Sequence, residues 1–170
     1  PTSGLVLDLA AGHGRHTRWL LERGHRVLAV DLNVSGLGDL AGHAELEILA
    51  MDLESDPVPL PGRRFAGIVV TNYLHRPHFP WLAAALEPGG VLIMETFGQG
   101  NERHGRPRNP DFLLAPGELL AAFSGTLDIV AYEHGLERAP RPAVRQRLCA
   151  LAPRGQERGN GREPWLLPGG

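Results

Sequence analysis

Lysine is absent from this sequence of 170 residues, so all seventeen positions counted as Lys or Arg are arginine. Without lysine the chain cannot form a Schiff base, use a lysine general base, or hold a phosphate with the lysine of a P-loop. A single cysteine, Cys149, excludes an intrachain disulfide. Because Cys149 lies in a stretch of alternating apolar residues, we predict a small buried side chain there rather than a nucleophile.

Long hydrophobic runs are also missing. No segment approaches the roughly 18 apolar residues that span a membrane, and the first residues lack the basic flank and apolar stretch of a signal peptide. These absences predict a cytoplasmic protein with no membrane partner. A net charge of −2 and 42 % hydrophobic residues are typical of one globular domain, which we place at residues 1–152. Residues 153–170 have no periodicity and little apolar content, which predicts a flexible tail.

Short apolar segments predict seven β-strands, and three further segments predict helices. The predicted strands are 5–9, 25–31, 46–52, 66–71, 91–96, 127–133 and 143–151, and the predicted helices are 15–23, 81–86 and 116–123. This alternation predicts an α/β fold, a Rossmann-like doubly wound and mostly parallel sheet. The last two strands are joined by a loop alone, so they must run antiparallel. Prolines exclude a helix at 56–62, and Pro88-Gly89-Gly90 is predicted to end the second helix before strand five.

A turn of small residues follows the first predicted strand. Ala10, Gly12 and Gly14 allow the backbone to turn sharply, and they allow a ligand to approach the main-chain N–H groups. Asp31, at the end of strand two, can accept hydrogen bonds from two ribose hydroxyls. Asp52, after strand three, can reach the exocyclic amine of an adenine, although an Asp at a strand end also starts turns through its own backbone. Together these residues predict a site for a nucleoside-containing ligand.

Two cofactors contain a nucleoside that fits this pattern. A dinucleotide site requires Gly-x-Gly-x-x-Gly, and the position of its third glycine is Thr17 here, so the match to NAD is poor. S-adenosylmethionine has no phosphate, but it carries an ammonium, a carboxylate and a sulfonium group. An acid on strand one that points into the site suits that cofactor, and Asp8 is such an acid.

The stretches DLAAGHGRHT, AVDLN, MDLE and VVTNYL resemble motifs I to IV of class I S-adenosylmethionine-dependent methyltransferases, in particular those of small bacterial proteins of the tellurite-resistance-like group. The resemblance covers about residues 4 to 152. It implies a seven-stranded sheet with an antiparallel C-terminal strand and a methyltransferase that acts on a small-molecule acceptor. The cofactor-binding residues that it implies are Asp8, Ala10, Gly12 and Gly14 at the methionine end, Asp31 and Leu32 at the ribose, Asp52 and Leu53 at the adenine, and Asn72 near the methyl group.

The sequence departs from the family pattern in three places, one of which is that DPVPLPG replaces the helix usually found between strands three and four. Ala10 replaces the first glycine of motif I, a change that the family tolerates. The signature of enzymes that methylate amino groups of bases, Asp or Asn followed by two prolines and an aromatic residue, is absent, because Asn72 and Tyr73 are followed by Leu and His. Methylation of base amino groups is therefore not indicated.

Two residues after strand four are candidate catalytic groups. His75 lies close to the expected acceptor, and histidine is the side chain that most often removes a proton from a nucleophile. Tyr73 could either pack over the sulfonium through its ring or take part in acid–base chemistry. His75 and His78 form an HxxH pattern, but Pro77 and Pro80 break the helix that would pair them, and no third ligand is near. We therefore predict no metal site.

The residues that bind the methyl acceptor are harder to predict from the sequence than those that bind the cofactor. Glu95, at the end of strand five, and the polar loop with Arg103, His104 and Arg106 are candidate substrate-binding residues, because clustered arginines can clamp a carboxylate or phosphate. The alternative is a solvated loop. The stretch from position 138 to 162 contains seven arginines and one acid, Glu157. Because such a basic stretch can bind RNA, an RNA methyltransferase is an alternative. A non-catalytic module that senses S-adenosylmethionine is a further alternative.

Overall fold

The structure, a computed structural model, describes residues 3–55 and 59–154. Seven strands alternate with short helices over this range. The strands are β1 (Leu5–Leu9), β2 (Arg26–Asp31), β3 (Leu46–Ala50), β4 (Phe65–Thr71), β5 (Leu86–Phe97), β6 (Asp128–Glu137) and β7 (Ala143–Leu151). The α-helices are α1 (Arg15–Leu21), α2 (Phe79–Ala84) and α3 (Glu118–Phe123), and 3-10 turns lie at Val34–Leu40, Leu53–Ser55, Arg76–His78, Asn101–Arg103 and Pro110–Phe112.

All seven strands form one sheet in the order β3-β2-β1-β4-β5-β7-β6. Strands β1 to β5 pair in parallel, and β7 is antiparallel to both of its neighbours, β5 and β6. The predicted fold class is therefore confirmed, including its antiparallel C-terminal strand. No helix in the described residues is long and apolar enough to cross a membrane.

The two faces of the sheet bury different residues, because successive side chains of a strand point to opposite faces. Val6 of β1 packs with Leu20 of α1 in a small cluster on one face. Leu7 and Leu9 point to the other face, in the large core that also contains Leu82 of α2. The sheet is thus the rigid platform from which the loops after its strands project.

The second helix and the fifth strand differ from the prediction. The helix begins and ends two residues earlier than expected, and β5 begins at Leu86 and continues through Pro88-Gly89-Gly90. Leu86 pairs with Phe65, and an irregularity of the pairing before Gly67 accommodates the proline and glycines. The N–H of Gly89 donates to Ala152, and Gly90 accepts from the same residue. Hydrogen bonds with Ala152, the residue after β7, thus keep Pro88-Gly89-Gly90 within β5, although proline and glycine are disfavoured inside strands.

Two expectations fall largely outside the described residues. The predicted tail, residues 153–170, is described only at 153–154. The segment predicted to be non-helical, 56–62, is described only at 59–62, which contains bends and a turn. The division into a domain at 1–152 and a tail therefore stays a prediction.

Candidate active site

The order of the strands predicts a crevice where β1 and β4 lie side by side. In the sheet, β2 lies beside β1 and β5 lies beside β4, on opposite sides of the β1–β4 pair. The chain therefore turns toward opposite edges of the sheet after β1 and after β4. Crevices of this kind at the carboxyl ends of parallel strands hold ligands in open α/β sheets. Ala10 and Asn72, which follow these two strands, both have φ 56, and no other non-glycine residue in the described ranges has a positive φ. Local strain at both strand ends marks this crevice as a candidate site.

The turn after β1 has one open side and one packed side. Gly12 (φ +56) has nothing within 4 Å of the position that a Cβ would occupy, so its side faces open space. Gly14 (φ +73) precedes α1, and a Cβ there would lie 2.2 Å from Cδ2 of Leu37. The first of these glycines therefore leaves space for a ligand, whereas the second is required by packing.

Asp31 joins the turn to the end of β2. Its Oδ2 accepts a hydrogen bond of 2.8 Å from the N–H of Gly12, and its Oδ1 accepts one of 2.9 Å from Asn33. The carboxylate is half-buried, and each oxygen keeps a lone pair for a further donor. Leu32, the next residue, is 72 % exposed. An oriented carboxylate beside an exposed apolar side chain can receive the hydroxyls of a ribose and the face of a base.

Asp8 is buried beneath the turn. Its Oδ2 accepts a hydrogen bond of 2.6 Å from the hydroxyl of Thr17, so the residue that occupies the third-glycine position is the acid's partner. Burial raises the pKa of Asp8 above its usual value, although the bond from Thr17 and the nearby His16 act in the opposite direction. His16 also lies 3.3 Å from Thr71 at the end of β4. Sequence reasoning did not single out His16, which has no recognisable motif of its own.

The raised pKa of Asp8 predicts a pH-dependent stability. The pKa of an aspartic acid in the unfolded chain is about 4. An acid whose pKa is higher in the folded chain stabilises the fold at low pH, and this stabilisation is lost as pH rises through the pKa of the folded chain. We therefore expect Asp8→Asn, which keeps an oxygen to accept from Thr17, to become more stable relative to the unaltered chain as pH rises from about 4 to about 7.

Urea denaturation at several pH values measures this difference. The control is Glu22→Gln, which removes a carboxylate from a side chain that is 73 % exposed at the end of α1. A difference between Asp8→Asn and the unaltered chain that does not change with pH would contradict the prediction.

Asp52 and Leu53 follow β3. Asp52 is exposed, its Oδ1 accepts from the N–H of Glu54, and its backbone oxygen accepts from the Ser55 hydroxyl. It therefore starts the 3-10 turn through one oxygen, in the manner of a strand-end Asp, and its Oδ2 has no partner among the described residues. The side chain of Leu53 packs in the core, so Leu53 can meet a ligand only through its backbone.

A separate cleft, which we call the acceptor cleft, lies above β4 and β5. It has a volume of about 280 Å³ and is lined by Glu54, Asn72, Tyr73, Leu74, Thr96, Phe97, Pro107 and Phe112. Two predicted residues, Asn72 and Tyr73, are thus brought together with six that the sequence did not indicate. Three of these, Phe97, Pro107 and Phe112, extend from β5 into the following loop, so only the fold places them beside Tyr73.

The predicted catalytic residues have different surroundings. The hydroxyl of Tyr73 is buried and has no hydrogen-bond partner among the described residues, and burial raises the pKa of Tyr73 well above its usual value. Tyr73 therefore stays protonated at neutral pH, which favours a packing role for its ring over proton removal. The ring of His75 lies edge-on to that of His78 at 4.4 Å, and His75 does not line the acceptor cleft.

Glu95 is held by arginines of the neighbouring strand. Its Oε1 accepts a bond of 2.9 Å from Arg145, and its Oε2 accepts one of 2.5 Å from Arg147. The same NH1 of Arg145 donates to Oδ1 of Asn72 at 2.8 Å. Both arginines also pair with Glu137. Glu95 therefore fixes β5 to β7, and Arg145 ties the end of β4 to them through Asn72.

The predicted arginine clamp is solvent-facing. Arg103, His104 and Arg106 are exposed, with the side chain of Arg103 83 % accessible. None of the three lines the acceptor cleft. Arg76 anchors a later part of the same loop. It forms a bidentate ion pair with Glu118 at 2.6 and 3.1 Å. It also donates to the backbone oxygens of the residues on either side of Phe112. No cluster of three or more His, Cys, Asp or Glu side chains within 3–55 and 59–154 could hold a metal ion.

Comparison with known proteins places this geometry among methyltransferases. TehB from Haemophilus influenzae has the same fold, with a TM-score of 0.74 and 16 % identity, over 88 % of this chain and 58 % of TehB. The chain therefore spans little more than half the length of TehB.

Two further structures share the fold. A 1,6-didemethyltoxoflavin-N1-methyltransferase from Burkholderia thailandensis, with its substrate and S-adenosylhomocysteine bound, has a TM-score of 0.69 and 22 % identity over 89 % of this chain and 72 % of its own. The N-methyltransferase NodS from Bradyrhizobium japonicum WM9 has a TM-score of 0.67 and 16 % identity over 89 % of this chain and 87 % of its own.

The sequence itself matches one family model. That model, the methyltransferase domain, covers residues 6–90, half of the chain and the part that contains β1 to β4 with all four motifs. No curated protein matches the sequence. The predicted membership of the methyltransferase superfamily is confirmed by the family model and by the shared fold. The chain belongs to the methyltransferase domain family.

Proposed function

We propose that the chain binds S-adenosylmethionine in the crevice between β1 and β4 and transfers its methyl group to a small-molecule acceptor. The observation that carries this proposal is the carboxylate of Asp31, which the N–H groups of Gly12 and Asn33 orient beside an open-sided glycine turn. A carboxylate held in this way can accept both ribose hydroxyls, and the turn offers no glycine triplet for a pyrophosphate.

The residues around the crevice fit the other parts of this cofactor. Asp8 provides negative charge beneath the turn for an ammonium group, and the open side of Gly12 leaves room for the methionine chain. Leu32 offers an exposed apolar surface to the adenine, and Oδ2 of Asp52 can accept from its amine. When bound, S-adenosylmethionine supplies a methyl group on a positively charged sulfur, which is reactive toward a nucleophile without further activation.

The chain's own contribution is then to hold two partners in line. Positioning of a nucleophile against a reactive carbon supplies several kcal/mol of the acceleration without acid–base chemistry. Asn72 and the ring of Tyr73 form the boundary between the cofactor crevice and the acceptor cleft. The ion pairs from Arg145 and Arg147 to Glu95 hold β7 against β5, and the hydrogen bond from Arg145 to Asn72 ties the end of β4 to them.

An RNA acceptor is less well supported. Two of the arginines that suggested RNA binding, Arg145 and Arg147, are paired with Glu95 and Glu137. Cations that are neutralised in this way contribute little to phosphate binding. The non-catalytic sensor remains the alternative, and only turnover distinguishes it from the enzyme.

Calorimetry with S-adenosylmethionine and S-adenosylhomocysteine tests the cofactor, and transfer of a labelled methyl group to small-molecule and RNA fractions of a cell extract tests the reaction. We expect both nucleosides to bind and label to enter the small-molecule fraction. Tyr73→Phe should keep transfer within about threefold, because the lost hydroxyl is buried. His75→Ala should also keep transfer within about threefold, because His75 does not line the acceptor cleft. Absence of binding by the unaltered chain would refute the proposal.

A further inference from the structure

The acceptor cleft combines aromatic walls with a negative charge. Tyr73, Phe97 and Phe112 contribute rings, Pro107 and Leu74 contribute apolar surface, and Glu54 contributes a carboxylate. Glu54 forms no ion pair with any residue of 3–55 or 59–154. Rings of this kind favour a flat ligand, since aromatic pairs gain from offset or edge-to-face packing.

The arginines that contact or hold the cleft lining, Arg145 and Arg76, are already neutralised. The guanidinium of Arg145 lies 4.4 Å from the centroid of the Phe97 ring, but it is paired with Glu95 and Glu137. Arg76 holds the loop that contains Phe112, and it is paired with Glu118. Among the described residues that line the cleft, none is Arg or His. Within the cleft lining, a carboxylate or phosphate on the acceptor would therefore meet the charge of Glu54 without an arginine or histidine to compensate it.

We infer that the acceptor cleft takes a small planar amine and that methyl transfer occurs to its nitrogen. This inference rests on the proposed function. In the transfer the acceptor nitrogen uses its lone pair to bond to the methyl carbon as the bond from that carbon to sulfur breaks, and the electron pair of the broken bond stays on sulfur. Positive charge thus passes from sulfur to nitrogen, and the carboxylate of Glu54 accepts the proton that the nitrogen then releases.

The cleft is suited to this change of charge because its charged and aromatic groups favour the product more than the neutral amine. A carboxylate attracts the cationic nitrogen that forms, and the faces of aromatic rings attract cations as well. Interactions that strengthen as the reaction proceeds accelerate it, whereas those equal in both states do not. The same groups would repel an anionic acceptor. The charge on Glu54 thereby selects the class of substrate.

Two probes of similar shape and opposite charge test the inference. Binding of phenethylamine, whose protonated amine stands in for the cationic product, and of 3-phenylpropanoate is measured by calorimetry at neutral pH, both with and without saturating S-adenosylhomocysteine. We expect the amine to bind at least about tenfold more tightly. Glu54→Gln should lower the affinity for the amine about tenfold and leave the affinity for the carboxylate unchanged or higher. Phe112→Ala should weaken both probes equally, by about fivefold.

Glu22→Gln is the matched control, because it removes the same charge from a side chain that is 73 % exposed at the far end of α1. The inference is overturned if the carboxylate binds as tightly as the amine, if neither probe binds, or if Glu54→Gln changes neither affinity. Failure of S-adenosylhomocysteine to bind would instead refute the proposed function. The measurement without S-adenosylhomocysteine then still reports which charge the cleft prefers.

Discussion

Asp31→Asn is expected to weaken binding of S-adenosylhomocysteine by on the order of 100-fold or more. The substitution keeps the shape of the side chain but removes its charge and one acceptor oxygen. Hydrogen bonds to a charged group contribute about 1.5 to 3 kcal/mol each, and two ribose hydroxyls would lose this assistance. About 3 kcal/mol corresponds to more than a hundredfold in Kd. Isothermal calorimetry on the purified variant measures the change directly.

The matched control for Asp31→Asn is again Glu22→Gln, an identical change of charge outside the crevice. Thermal unfolding of both variants checks that the loss is not one of stability, because the amide introduced by Asp31→Asn would retain one oxygen to accept from Gly12 or Asn33. If Asp31→Asn bound within about threefold of the unaltered chain, the ribose would not lie at Asp31, and the position of the cofactor would have to be revised.

Gly14→Ala is expected to be the most destabilising single change in the turn, by about 2 to 4 kcal/mol. A Cβ at this position would lie 2.2 Å from Cδ2 of Leu37 and 2.9 Å from NH1 of Arg18. Leu37 is fully buried, so it cannot move away without disturbing the core. Overpacking of this kind costs about 1 to 3 kcal/mol, and the backbone at φ +73 adds about 1 kcal/mol for any residue with a side chain.

Two other glycines separate the backbone cost from the contact cost. Gly24 (φ +78) and Gly12 (φ +56) have nothing within 4 Å of the position of an added Cβ, so alanine at either should cost only about 1 kcal/mol. Urea denaturation of the three variants provides the comparison. Equal losses for all three would show that the packing of Leu37 against the turn does not contribute, contrary to the geometry.

The parts of the fold that the sequence predicted are those with a local signal. The strands β1 to β4 and their order of appearance follow from apolar runs between turn residues, and all seven strands have their predicted positions to within a few residues. The sequence predicted that Pro88-Gly89-Gly90 would lie before β5, and this was wrong. Pairing with Phe65 and Ala152 includes these residues in the strand. Ala152, which is distant in sequence, forms backbone hydrogen bonds with Gly89 and Gly90. These bonds continue the strand past Pro88, which has no N–H to donate.

The candidate site divides in the same way. Gly12, Gly14 and Asp31 could be selected from spacing alone, because a sharp turn after one strand and an acid at the end of the next are features of short stretches of chain. The surroundings of Glu95 could not be predicted, since its partners lie on β7, about fifty positions along the chain. Whether a carboxylate is free or paired depends on which strand lies beside it.

The sequence by itself determined a Rossmann-like sheet, a glycine turn with an acid on either side, and a family resemblance that the comparisons confirmed. Only the tertiary structure decided that Glu95 is neutralised, that the Tyr73 hydroxyl is buried, and that Glu54 meets Phe97, Pro107 and Phe112 in one cleft. The physical reason is that dihedral and hydrogen-bonding preferences act between near neighbours in the chain. Burial and charge pairing, by contrast, depend on surfaces that folding brings together from β3, β5 and the loop that follows.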